Sequence, residues 1–181
     1  MPSIFSQLDR RLQDQKNDIL SSKTGNTEQN VVITDINEYR LELAKKLGIT
    51  HVYNAETNFT ELMPSLKMYE GFDVALEMSG SPDALNDIIS SVKNGGKIAL
   101  LGILPDNTKI SWNDVIFKDL FIKGIYGREI FESWYKMISM LDSGLSVGGL
   151  ITHEFYFEDF EEAIKIIKSG KSGKIILNWE K

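Results

Sequence analysis

From residue 31 onward, short apolar runs alternate with segments whose apolar residues recur every three to four positions. Val31-Val32-Ile33-Thr34 predicts a strand, residues 38–47 a helix, 51–54 a brief strand and 59–67 a second helix. The alternation resumes with a strand at 72–78, a helix at 82–92, a strand at 97–101, a loop through Pro105, a strand at 120–126 and a helix at 131–141. After Gly149 the pattern gives a strand at 151–153, a helix at 157–167 and a last strand at 174–178, closed by Trp179. Near-continuous hydrophobic strands alternating with helices predict a parallel sheet covered on both faces. Right-handed crossovers make that sheet doubly wound.

Residues 1–30 follow a different pattern. Ile4, Phe5, Leu8, Leu12, Ile19 and Leu20 fall at helical intervals among polar residues, which predicts an amphipathic helical arm, and residues 21–30 contain no apolar side chain and read as a linker. The expected organisation is an arm and linker at 1–30, a nucleotide-binding unit at 31–149 and a C-terminal segment at 150–181.

The first strand ends at Asp35. An acid there is where a dinucleotide-binding fold holds the adenosine ribose, and a carboxylate would repel a 2′-phosphate, favouring NAD over NADP. No Gly-rich phosphate loop precedes it; Gly25, in the polar linker, is the only earlier glycine. Arg40 stands where its guanidinium could lie against an adenine face. The competing reading makes Asp35 an ordinary helix cap and Arg40 a solvated charge. In Leu101-Gly102-Ile103-Leu104-Pro105 the glycine would let a flat ring approach the backbone, or it marks only a turn. Glu77-Met78-Ser79-Gly80-Ser81 carries the same two readings, with Ser81-Pro82 also a helix start.

Composition narrows the chemistry. The 181 residues, 42% of them hydrophobic, suffice for one domain with a core. A net charge of −6 without a basic cluster argues against nucleic acid. No apolar stretch is long enough to span a bilayer and the first residues carry no signal-peptide core, so the expected location is cytoplasmic. The absence of cysteine removes disulfides, thiol nucleophiles and thiolate ligands. Glu154, Glu158, Asp159, Glu161 and Glu162 match no calcium loop, and those at 158–162 fit the first turn of a helix. His51 and His153 flank apolar strand residues and read as structural. Ser169-Gly170-Lys171-Ser172-Gly173-Lys174 lacks the flanking strand and helix of a phosphate loop and reads as a helix cap and turn.

Four segments, taken in order, carry a resemblance: 31–41, ending Asn37-Glu38-Tyr39-Arg40-Leu41; Gly71-Phe72-Asp73-Val74 with Glu77-Met78-Ser79-Gly80; Leu101-Gly102-Ile103; and 121–129, with Ile125-Tyr126-Gly127-Arg128-Glu129. With Trp134-Tyr135-Lys136-Met137, their order and spacing resemble the L-threonine 3-dehydrogenases, within the zinc-containing medium-chain alcohol dehydrogenase family. The resemblance runs from Val31 to about Trp179. It implies an incomplete Rossmann-like α/β fold and an ancestry in NAD-dependent oxidation of threonine to 2-amino-3-oxobutanoate. It further implies that Asp35 and Arg40 hold the adenosine end of NAD, that Leu101, Gly102 and Ile103 line the nicotinamide side, and that Ile125 and Tyr126 close over the cofactor.

Relatives carry zinc ligands and a Gly-rich first strand that have no counterpart in this sequence, so zinc is not expected here and NAD binding is expected to be residual. The resulting expectation is a chain that turns over no threonine alone; the alternatives are one half of a split dehydrogenase completed by an N-terminal polypeptide, or a non-catalytic module that binds NAD or adenosine weakly or drives association. The family's strand order places the missing strand between those beginning at Val31 and Phe72. The two edges could close on each other, accept a strand from another copy, or be covered by the arm. Relatives pair the strand equivalent to 120–126 across a dimer, making a homodimer or higher homo-oligomer the expected state. The 150–181 segment, which in relatives rejoins the catalytic domain, would pack on the remaining sheet, bind another copy or stay partly mobile.

Overall fold

The computed structural model describes residues 31–57, 59–127 and 129–180; the helical arm expected within 1–30 lies outside them. Strand β1 (Val32–Asp35), helix α1 (Glu38–Lys46) and strand β2 (His51–Asn54) form the first unit. β1 and β2 pair in parallel from Val32 opposite His51 to Asp35 opposite Asn54. Helix α1 begins with Glu38 and ends with Lys45 and Lys46, charges that complement its dipole, and buries Leu41 and Ala44 on one face. On its exposed side Lys45 donates to Glu42 at 2.7 Å, a hydrogen bond that lowers the carboxyl pKa and raises that of the ammonium.

The second unit contains helix α2 (Phe59–Leu62) running into a 3-10 turn (Met63–Leu66), then β3 (Phe72–Glu77), α3 (Pro82–Ser91), β4 (Val92–Leu100), α4 (Trp112–Phe117) and β5 (Phe121–Gly124). Its sheet has the order β3-β4-β5, with both pairings parallel. Leu85 and Ile89, one helical turn apart on α3, meet Val92 and Ile98 in the core, and all four are almost fully buried. Parallel strands with helical crossovers are thus present as expected. Strand β4 starts five residues before the sequence pattern predicts, because a register irregularity between Phe72 and Val74 lets Val92 pair before the regular ladder from Lys97. Helix α4 falls where the pattern predicts only a loop. It turns only half-buried Val115 toward the core and leaves Trp112, Ile116 and Phe117 exposed, so no apolar stripe reveals it.

Lys118 ties the end of α3 to the entry of β5. Its ammonium donates to the carbonyls of Ile89 (2.9 Å), Ser90 (2.6 Å) and Val92 (3.1 Å), groups left without partners where the helix stops. Lys118→Met should therefore lower the unfolding free energy by about 1–2 kcal/mol. Urea denaturation checks this: the midpoint should fall with the slope unchanged, and an unmoved midpoint would show that water replaces the ammonium at no cost.

The last unit holds helix α5 (Glu132–Asp142), a 3-10 turn (Gly148–Leu150), β6 (Ile151–Tyr156), a 3-10 turn (Phe157–Asp159), α6 (Phe160–Ser169) and β7 (Lys174–Asn178). β6 and β7 pair in parallel, and Phe157 stacks on Trp179 with ring centroids 4.6 Å apart. This segment docks on α1: Asn37 Nδ2 donates to the Gly170 carbonyl at 2.9 Å, and Leu43 and Leu47 lie against Gly173 and Gly149. Among the described residues, β1 pairs only with β2 and β3 only with β4, so their free edges do not close on each other. No helix among these residues is long and apolar enough to cross a membrane.

Candidate functional site

Asp35 ends β1, at the carboxyl edge of its sheet. Its Oδ1 accepts the Asn37 amide at 2.8 Å, and its Oδ2 faces Arg40 Nη1 at 3.4 Å. Asn37 performs the capping: its Oδ1 accepts the amides of Tyr39 (2.9 Å) and Arg40 (3.4 Å). The reading of Asp35 as the helix cap is therefore corrected, because Asn37 stands two residues closer to the helix and reaches its orphan amides first. Arg40 is more than half exposed, as a solvated helix charge would be, and it also faces Asp35 at 3.4 Å. The carboxylate is left as an acceptor at the rim, with a guanidinium beside it. Asn37→Ala would remove both the cap and the bond to Gly170, so thermal unfolding should show a loss of about 1–2 kcal/mol; an unchanged transition would contradict the assignment of the cap.

A second cluster forms where β3, β4 and β5 end. Glu77, the last residue of β3, is 1% exposed. Its Oε1 accepts from the Ser79 amide (2.8 Å), the Ser79 hydroxyl (2.6 Å) and the Gly80 amide (2.9 Å). Its main-chain carbonyl accepts from Leu101 (2.8 Å) and Gly102 (3.1 Å). Gly80 adopts a φ of +72°, and a Cβ there would meet the Ile103 carbonyl oxygen at 2.6 Å. A Cβ on Gly102 would lie 2.3 Å from both Glu77 Oε2 and the Gly80 amide nitrogen. The two loops are thus in direct backbone contact, and glycine is required on each side. Ser81 Oγ accepts the Ala84 amide at 3.4 Å and Pro82 follows, confirming the helix start.

Ile125 donates its amide to the Leu100 carbonyl at 2.8 Å, which brings the exit of β5 beside that of β4. Leu101 is exposed there, and Ile103 and Tyr126 stand almost wholly in solvent, at 95% and 102% of full exposure. The structure therefore gathers Leu101, Gly102, Ile103, Ile125 and Tyr126 at one sheet edge, and Asp35 with Arg40 at the edge of another sheet. The 77–81 strand exit is one of the segments that the sequence marks for a ligand or a turn, but the part played by the Glu77 side chain within it is visible only in the structure.

The donor set does not fit zinc. The sequence has no cysteine, and the described residues contain no cluster of three or more metal-ligating side chains. His153 stacks on Phe155 and sets its Nδ1 2.9 Å from Thr152 Oγ1, a structural role. Gly170, with φ +72°, caps α6 in the left-handed conformation, as read from the Ser-Gly-Lys stretch. A rim carboxylate such as that of Asp35 could accept a ribose diol. At 101–103 the Cβ that Gly102 lacks would point at Glu77 and Gly80, so that glycine serves the packing of the two loops, and it is the exposed Leu101 and Ile103 that could meet a flat ring.

The zinc-binding dehydrogenase family pattern matches residues 22–143. The chain is 55% identical over 153 residues to the L-threonine 3-dehydrogenase of Photorhabdus laumondii, covering 84% of this chain and 45% of that enzyme. It is 56% identical over 154 residues to that of Aeromonas salmonicida, with the same coverage. The chain thus spans about half the length of the curated relatives it matches. Among solved structures, 2R,3R-butanediol dehydrogenase from Bacillus subtilis superposes with a TM-score of 0.68 at 26% identity, over 80% of this chain and 42% of that one. A short-chain alcohol dehydrogenase from Escherichia coli, solved with NADH, superposes with a TM-score of 0.73 at 22% identity, over 83% and 45%, and shares the fold. The chain belongs to the zinc-binding dehydrogenase family, and it corresponds to the C-terminal part of its L-threonine 3-dehydrogenase relatives.

Proposed function

We propose that this chain supplies the cofactor-holding part of an NAD-dependent L-threonine 3-dehydrogenase. The observation that carries the reading is the Asp35 carboxylate, freed of capping duty by Asn37 and set at a strand's carboxyl end, in a chain more than half identical to such enzymes. Asp35 would accept the hydroxyls of the adenosine ribose, and Arg40 would lie beside the adenine. Leu101, Gly102 and Ile103 would flank the nicotinamide, with Ile125 and Tyr126 over it. Bound NAD supplies the hydride acceptor. The residues of this chain bind and orient it.

Activating the threonine hydroxyl is a separate task. The family is one of zinc-binding dehydrogenases, and no residue set among the described residues fits that ion, so no step is assigned to it. The purified chain supplied with zinc, threonine and NAD should form no NADH above the rate without threonine. Threonine-dependent NADH formation would overturn the division of labour.

A second reading, that the chain is one half of a split dehydrogenase, is favoured by the sheet order. β1 and β3 each have one neighbour among the described residues. A strand between them, supplied by another polypeptide with the Gly-rich turn and zinc ligands, would satisfy both edges. Co-expression with the N-terminal part of a relative should then restore threonine oxidation; failure of the two to copurify would remove this reading. β5 is likewise paired on one side, by β4. Its other edge would join that of a second copy, and sedimentation should give twice the 20.5 kDa chain mass. A monomer would contradict that pairing. The cytoplasm is the corresponding location.

A further inference from the structure

We propose that Glu77 is a positioning residue for the nicotinamide side of the cofactor site, an inference that rests on the NAD-binding reading. Glu77 is buried at the end of β3, where an ionisable side chain is unusual. Its Oε1 gathers the Ser79 amide, the Ser79 hydroxyl and the Gly80 amide into one turn. Its carbonyl receives Leu101 and Gly102 from the neighbouring strand exit. One residue thereby holds both loops.

The other carboxylate oxygen makes the arrangement specific. Oε2 is buried and has no hydrogen-bond partner in the structure. It occupies the place into which a Cβ on Gly102 would project. A buried polar atom without a partner lowers stability, so a carboxylate kept there serves something else. Its effect is geometric. With Oε1 fixed by three donors, Oε2 sets how closely Gly102 approaches Gly80, and so where Leu101 and Ile103 present their backbone. Tyr126 and Ile125, at the end of β5, have no contact of this kind with the 77–81 loop, so the staple acts on the 101–103 backbone alone.

The test pairs Glu77→Gln with Ser79→Ala and uses two readouts. Calorimetric titration compares NAD with ADP-ribose, which lacks the nicotinamide. Glu77→Gln should leave ADP-ribose affinity unchanged and weaken NAD by about tenfold, as expected for lost alignment of one ring. Ser79→Ala, which removes one donor from Oε1, should fall between the two. Amide hydrogen exchange reads the loops without ligand: Ser79, Gly80, Leu101 and Gly102 should exchange faster in both variants, while Ile98 in the core stays protected. Equal weakening of NAD and ADP-ribose, or accelerated exchange spread over the whole sheet, would overturn the proposal by making Glu77 a general stabiliser. If Glu77→Gln fails to fold, Ser79→Ala decides on both readouts. An unaltered chain that binds NAD no tighter than ADP-ribose would overturn the nicotinamide assignment itself, and the exchange data would still decide separately whether Glu77 couples the two loops.

Discussion

Gly102→Ala should lower the stability of the chain by about 3 kcal/mol, the upper end of the cost of overpacking a tight interior site. The added methyl would lie 2.3 Å from both Glu77 Oε2 and the Gly80 amide nitrogen, and 2.8 Å from the Gly80 Cα. Two of these three neighbours are backbone atoms in a turn whose φ of +72° leaves it little freedom to move. The third belongs to a carboxylate whose other oxygen is already held by three donors. Relief therefore requires the 101–103 backbone to rise from the 77–81 turn, which breaks the bonds from Leu101 and Gly102 to the Glu77 carbonyl. Denaturant unfolding checks the stability loss. If Gly102→Ala instead unfolds with the native midpoint, the close approach of the two loops is wrong.

Asp35→Ala should weaken NAD binding by about tenfold or more, since hydrogen bonds to a charged acceptor are worth roughly 1.5–3 kcal/mol. The substitution leaves α1 capped, because the cap is Asn37. It frees Arg40 of its partner, which then favours an anion such as the 2′-phosphate of NADP. Titration of both dinucleotides should accordingly show the preference for NAD lost in the variant. Unchanged NAD affinity in a folded Asp35→Ala chain would leave the carboxylate with only its bond to the Asn37 amide and its pairing with Arg40.

The alternation of apolar runs and amphipathic segments made most elements legible. The strands at His51–Asn54 and Lys174–Asn178 coincide with those read from the pattern. What remained illegible depends on contacts distant in sequence or on elements that turn little toward the core. Helix α4 carries exposed Trp112, Ile116 and Phe117 beside the one residue that meets the core, Val115, so its apolar residues do not single out a core face. The docking of the C-terminal segment on α1 depends on Asn37 and Gly170, which are 133 positions apart. Asp35 and Asn37 are both good cap residues by type; only the geometry shows which one reaches the amides of Tyr39 and Arg40. The 77–81 exit was legible as a ligand loop or a turn, whereas the burial of Glu77 under Gly102 depends on the neighbouring strand exit.

Calorimetric titration of the unaltered chain with NAD, and in parallel with NADP, tests most directly whether these residues hold a cofactor. Saturable heat with NAD and weaker binding of NADP are expected, because Asp35 accepts a ribose diol and repels a 2′-phosphate. No heat with NAD at millimolar concentration, or equal affinity for the two dinucleotides, would contradict it.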